Sequence, residues 1–272
     1  MTGPQPGTSW RRVELARHER RPHALDYIRR LAPNFVELHG DRQAGDDPAL
    51  VAGIGTWRGA TVVLLGQEKG RTLRERRERN FGMMHPEGFR KAIRLARTAA
   101  KFGLPVISLV DTPGAYPGAG AEERGIAGAI ASAISDWFRI ATPVVSAVVG
   151  EGGSGGALGI CVADRVLLQE NAIFTVASPE ACASIVWRDV AHREEAAEQL
   201  GLTSDVLLAG GLVDEVVAEP PGGAHADADE AARLLDEALH RHVRSLRGMP
   251  VRLLVRRRYE RFRRLGLEVV GS

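Results

Sequence analysis

Aromatic residues are scarce in this 272-residue chain, at 5% of positions, which leaves little material for a surface that stacks single-stranded nucleic acid. Charge of one sign is missing too. Lysine and arginine, 36 together, nearly balance 34 aspartates and glutamates, so no whole-molecule field points to a polyanionic partner. The two cysteines, Cys161 and Cys182, lack metal-ligand spacing, and Cys161 sits in an apolar stretch that suits a buried, reduced thiol. No apolar run approaches the roughly 18 residues of a membrane span, and Met1 to Arg12 lacks the apolar centre of a signal peptide. The expectation is a soluble cytoplasmic protein with no nucleic-acid partner and no membrane attachment.

Apolar residues make up 44% of the chain, enough for the core of one α/β domain, and the one strong bias is glycine, with 31 residues gathered in short turns. The pattern predicts an N-terminal helical arm over 1–48, a core over 49–220 and a C-terminal helical extension over 221–272. In the arm, Ser9 is placed to cap one helix and Pro22 to start another carrying Leu25, Ile28 and Leu31. Met1 to Thr8 and Pro220-Pro221-Gly222-Gly223 read as the flexible pieces. Leu50–Thr56 and Thr61–Leu65 form a strand pair about a short turn. A helix opens at Pro86, carries Phe89, Ile93, Ala96 and Ala100 on one face, and ends near Gly103. Buried strands follow at Leu104–Val110 and Pro143–Val149, then a strand at Arg165–Leu168. A helix bearing Ile126, Ile130, Ile134 and Trp137 lies between the first two. Strand and helix alternate, as in stacked βα crossovers.

Chemistry gathers in two loops. Gly150-Glu151-Gly152-Gly153-Ser154-Gly155-Gly156-Ala157 follows a buried strand and opens a helix. If Ser154 is the N-cap, the amides of Gly155, Gly156 and Ala157 are those a helix leaves unsatisfied, and they form an oxyanion site. Glycine pairs also mark close helix packing, so that reading stands beside the first. No Lys-Ser/Thr follows, which excludes a phosphate-binding P-loop. The second loop is Asp111-Thr112-Pro113-Gly114-Ala115-Tyr116-Pro117-Gly118. There Gly114 and Ala115 either add backbone donors or merely shape a strand-to-helix turn.

These two loops, with Asn80-Phe81-Gly82, Pro86-Glu87-Gly88, Glu122-Glu123-Arg124-Gly125, Gly40-Asp41-Arg42, Lys69-Gly70-Arg71 and Ser178-Pro179-Glu180, give the chain a family likeness. It resembles the alpha subunit of acetyl-coenzyme A carboxylase's carboxyltransferase over most of its length. The resemblance implies a crotonase-like α/β fold, a superhelix of stacked ββα units, with its core at 49–220. It implies transfer of a carboxyl group from carboxybiotin, carried on a biotin carboxyl carrier protein, to acetyl-CoA, giving malonyl-CoA. It implies a beta-subunit partner, in a heterotetramer of two alpha and two beta chains, and no metal in this chain. By the same resemblance Gly155 and Gly156 hold the biotin carbonyl oxygen, while the partner stabilises the enolate of the acyl thioester.

Other features are secondary. Glu122 and Glu123 suit a first helical turn, where carboxylates favour the dipole, although either could serve as acid or base. His85, His192 and His225 show no mutual ligand spacing. The basic stretches Arg71–Arg79 and Arg252–Arg264, interleaved with glutamate, read as solvated helix faces. Lys69 or Arg71 meeting the phosphates of coenzyme A is the alternative. The arm is shorter than is usual in the family, and Ala181 and Met84-His85 depart from its pattern. A longer acyl thioester therefore stays open as substrate. Two other readings remain: a stand-alone crotonase-like decarboxylase, hydratase or isomerase using Glu122, Glu123 or Glu180, and a non-catalytic assembly subunit.

Overall fold

A computed structural model describes residues 8–265. In chain order the elements are α1 (Thr8–Ala16), α2 (Ala24–Leu31), β1 (Val36–Glu37), β2 (Leu50–Trp57), β3 (Ala60–Gln67), α3 (Leu73–Glu78) and α4 (Pro86–Phe102). Then come β4 (Val106–Thr112), α5 (Ala119–Glu123), α6 (Ile126–Trp137), β5 (Val144–Gly153), α7 (Ser154–Cys161), β6 (Arg165–Gln169) and β7 (Ile173–Thr175). The chain continues through α8 (Pro179–Val186), α9 (Arg193–Gln199), α10 (Ser204–Ala209), β8 (Glu215–Val217), α11 (Ala228–Arg247) and α12 (Val251–Arg264).

One eight-stranded sheet runs in the order β1-β2-β3-β4-β5-β6-β8, with β7 joining the end of β5. Strands β1 to β3 are antiparallel neighbours, and from β3 onward every pairing is parallel. Strands β4 and β5 are buried along their whole length, as strands covered on both faces must be. Their side chains alternate between two cores. Val106, Val110, Val144 and Val148 face the core built with α4, α6 and α7. Ile107, Leu109, Val145, Ala147 and Val149 face the core built with α2 and α11. Helices α2 and α11, from opposite ends of the chain, thus close the same face of the sheet.

The expected strand pair and the helix from Pro86 are in place; Pro86 stands in the first turn of α4 and Gly103 caps its end at φ 65°. Ser9 is not a cap. It lies inside α1, where its amide and hydroxyl bind the Glu198 carboxylate at 2.9 and 2.7 Å and tie α1 to α9. The Pro220–Gly223 stretch is an ordered turn, because buried Glu219 accepts the Ala224 amide at 2.7 Å and Gly223 closes onto Pro220 at 2.8 Å. Of Met1–Thr8, all but Thr8 lies outside the described residues. Cys161 is buried, and burial pushes its thiol up to about 12, away from reactivity.

The C-terminal basic stretch is not a uniformly solvated face. Arg258 is only 1% exposed. It forks onto Asp164 at 2.9 and 2.7 Å and donates to the carbonyls of Trp137, Ile140 and Thr142, which fastens α12 to the end of α6. Fully donated and paired, the guanidinium is tolerated; unpaired, its partner would not be. Arg258→Ala strands the Asp164 carboxylate in the interior, so denaturant unfolding of that variant is expected to show a loss of about 3–5 kcal/mol.

Candidate active site

Strand β5 reaches further than its sequence suggests, running through Gly150 to Gly153. It leaves β6 after Val148 and takes up β7 at Glu151, while its register with β4 slips between Val110 and Thr112. A bulge results, opposite Asp111. A Cβ on Gly150 would lie 2.3 Å from Asp111 Oδ1, so glycine there admits the carboxylate, which accepts the Glu151 amide at 3.0 Å.

The helix α7 begins abruptly after this strand. Its N-cap is Gly153, one residue earlier than the sequence suggests, and Ser154 is its exposed first residue at φ 50°, a left-handed conformation costly for a side chain. Its last turn is firmly held. Ser108 and Ser146, in register on adjacent strands, donate to the Ile160 carbonyl at 2.8 and 3.2 Å, and the Trp137 indole donates to the Gly159 carbonyl at 2.7 Å. Its first turn is open. Among the described residues the amides of Gly155, Gly156 and Ala157 find no protein acceptor in the strand or loops before them.

The two glycines of the pair differ. A Cβ on Gly156 would lie 2.2 Å from the Gly114 carbonyl carbon, and its own carbonyl accepts from Gln67 at 2.8 Å. Close packing of the two loops accounts for that glycine. A Cβ on Gly155 would meet only the Ile130 side chain, at an ordinary 3.5 Å, so packing does not require glycine there. In the facing loop, the Gly114 amide is already taken by Thr112 Oγ1 at 3.2 Å, and Tyr116 donates to Met84. Ala115 keeps its place beside Gly156.

Behind the loops lies a buried charge network. Lys69 Nζ sits 2.7 Å from both Asp111 and Glu151; Arg17 bridges Glu151 at 2.7 Å and Glu180 at 2.6 Å; His23 Nδ1 meets Asp111 at 2.9 Å. Burial works against the Asp111 charge, but Lys69 and His23 outweigh it and hold the carboxyl well below the usual range. Glu151 is held down the same way, by Lys69 and Arg17 against burial. Lys69 stays charged because these two carboxylates overcome its own desolvation. Arg71 is tied to Asp26 and to the Arg21 carbonyl. Both cations therefore have acceptors within the chain. Glu122 and Glu123 are exposed. His23 and Arg17 carry no motif that marks them. Separations of 88 residues for His23–Asp111 and 134 for Arg17–Glu151 leave only burial, invisible in sequence, as the signal.

Residues 6–266 match the family model described as "Acetyl co-enzyme A carboxylase carboxyltransferase-like". The chain is 54% identical over 257 residues to the acetyl-coenzyme A carboxylase carboxyl transferase subunit alpha of Deinococcus radiodurans, covering 94% of this chain and 81% of that one. It is 51% identical to the subunit of the same name from Thermus thermophilus, covering 95% and 82%. Among solved structures, the fold is shared with a chain of a Pseudomonas malonate decarboxylase hetero-tetramer in complex with coenzyme A. There the TM-score is 0.66 at 20% identity, covering 86% of this chain and 91% of that one.

The network also sets a pH dependence. Carboxyls whose folded pKa is depressed stabilise fully above the unfolded value, and that stability is lost as pH falls from about 4.5 toward the folded values. Denaturant midpoints should fall across that acid window. Asp111→Asn, which leaves Lys69 with half its counter-charge, should cost on the order of 3 kcal/mol at neutral pH and flatten the acid limb. An unchanged acid limb would remove Asp111 from this role.

Proposed function

The chain belongs to the acetyl-coenzyme A carboxylase carboxyltransferase alpha-subunit family, and from that premise we propose that its backbone amides at Gly155 and Gly156 form the oxyanion hole of the biotin half-site. The protein is the alpha subunit of a biotin-dependent carboxyltransferase with the crotonase-like fold, acting in a complex with a beta subunit. The observation that carries the site assignment is the run of amides at the head of α7 with no acceptor in the strand or loops before them among the described residues.

Carboxybiotin, presented by a carrier protein, supplies the carboxyl group that converts acetyl-CoA to malonyl-CoA. The residues present fit such a ligand. Gly155 leaves open the space a Cβ would fill, and Ala157 follows on the same turn. The amides of Gly155 and Gly156 donate to a carbonyl oxygen as negative charge grows on it. Because the last turn of α7 is fixed by Ser108, Ser146 and Trp137, the donors need no reorganisation as charge develops. Gly114 and Ala115 set the position of Gly156 by packing against it. Lys69 acts through Glu151 and Asp111, holding the strand that leads into the helix, and Arg71 fixes α2 beside it. No nucleophilic side chain is needed for this chemistry.

Support for a shared site comes from the surface. Val176, Ile185 and Val186 are 77%, 76% and 60% exposed on and before α8, the helix whose Glu180 joins the network through Arg17. Apolar side chains so placed suit a permanent partner surface. A heterotetramer of two alpha and two beta chains and a cytoplasmic setting complete the reading; no helix of the described residues is long and apolar enough to cross a membrane.

Gly155→Ala tests the hole more cleanly than substitution of Gly156, whose added carbon would collide with Gly114. Alanine keeps the N–H and adds a methyl that displaces the ligand from it, so in enzyme reconstituted with the beta subunit, biotin-dependent decarboxylation of malonyl-CoA should drop about a hundredfold at unchanged thermal stability. Wild-type turnover would sink the assignment.

A further inference from the structure

The Gly40-Asp41-Arg42 motif plays no part in the site above, yet the loop bearing it is heavily built. The Asp41 carboxylate accepts the amides of Gln43, Ala44 and Gly45 at 2.8, 2.8 and 3.0 Å and the Arg90 Nε at 2.7 Å, while the other arm of Arg90 reaches Glu87 at 3.0 Å. Asp46 binds the Gly40 amide at 2.8 Å and fully buried Lys91 at 2.6 Å. Arg94 donates to the carbonyls of Gly40 and His39 at 3.0 and 3.2 Å. All this rigidity holds Arg42 at φ 64°, where an arginine is strained and a glycine is not. Strain retained in a well-anchored loop points to a role for the side chain it presents.

Arg42 and Arg94 both line a cavity of about 620 Å³ between α4 and α6. Half-buried Ala129 and the edge of Ile93 give it an apolar side, with Phe89 fully buried behind them, and exposed Gly128 on α6 leaves room beside it. The carboxylates in its wall are already paired, Asp41 with Arg90 and Asp136 with Arg97 at 2.9 Å. Among the described residues neither Arg42 nor Arg94 forms an ion pair. Burial first, and the neighbouring Arg42 second, hold the Arg94 guanidinium below its ordinary value, against the pull of Asp46 and Asp41. An anion between the two guanidiniums would relieve this. Paired guanidiniums favour a phosphate, and the volume is that of an organic ligand, well above an inorganic ion.

We propose that this groove binds a phosphate monoester with an apolar or aromatic body, the phosphate held by Arg42 and Arg94 and the body lying against Ala129 and the edge of Ile93. Such an ester has two sources, the nucleotide head of a coenzyme A thioester or a free nucleotide. Binding here is independent of the carboxyl-transfer reading and is measured without turnover.

Isothermal titration of the full chain with coenzyme A, dephospho-coenzyme A and AMP tests it. Coenzyme A or AMP should bind saturably and weaken with salt, and dephospho-coenzyme A should bind at least about tenfold more weakly than coenzyme A. Coenzyme A tighter than AMP identifies the thioester head as the source; equal affinity identifies a free nucleotide. Arg42→Gly removes the guanidinium and the left-handed strain together, so it should melt no lower than wild type and bind about tenfold more weakly. Arg42→Lys, which keeps the charge, should recover part of the affinity. Absence of saturable binding by both monoesters, or wild-type affinity in Arg42→Gly, would overturn the proposal.

Discussion

The carboxylate of Asp111 is where the structure is tied together. It ends the central strand β4 at the point where β5 bulges, and it accepts from the Glu151 amide, Lys69 and His23 at once. Each contact belongs to a different part of the chain: β5 on its way into α7, the turn after β3, and the loop before α2. A buried carboxylate demands such company, since an uncompensated charge in the interior is prohibitive. Satisfying it fixes the angle at which the glycine strand enters α7, and so the direction of the open amides. Gly150 and Gly82 leave room for this residue, the first for its side chain and the second for its carbonyl.

Helix α7 divides its labour by its ends. Its final carbonyls, which need donors, receive them from Ser108, Ser146 and Trp137. Its first amides, which need acceptors, receive none from the strand and loops before them among the described residues. A short helix fixed at one end and unsatisfied at the other is a rigid donor array, and rigidity is what lets backbone dipoles act on developing charge without reorganising. The strained Ser154 at the junction fits that design, turning the chain sharply from strand to helix. Near α8, by contrast, Val176, Ile185 and Val186 stay exposed, apolar side chains that the described fold does not cover.

Much of this was legible in the sequence. Local signals carry far along a chain when each is short-ranged: Pro86 and Gly103 bracket α4, apolar β-branched runs mark β4 and β5, and the ordered motifs identify the family. Local signals misled where a distant partner intervened. Ser9 looks like a cap, but Glu198 takes its hydroxyl. The proline-glycine stretch after Glu219 looks flexible, but that carboxylate orders it. Arg258 looks solvated, yet a buried aspartate and three carbonyls surround it.

The glycine segment shows the division most clearly. Its sequence alone determined that backbone would approach something closely after a buried strand, because eight residues with so few side chains permit little else. Which glycine serves which purpose was decided only by the tertiary structure. Gly150 makes way for Asp111 and Gly156 for the Gly114 loop, whereas a Cβ on Gly155 would only touch Ile130 at ordinary contact distance. The reason is physical: a missing Cβ is a local fact, but the atom that would have collided with it comes from residues far along the chain, brought there by the packing of β4 against β5.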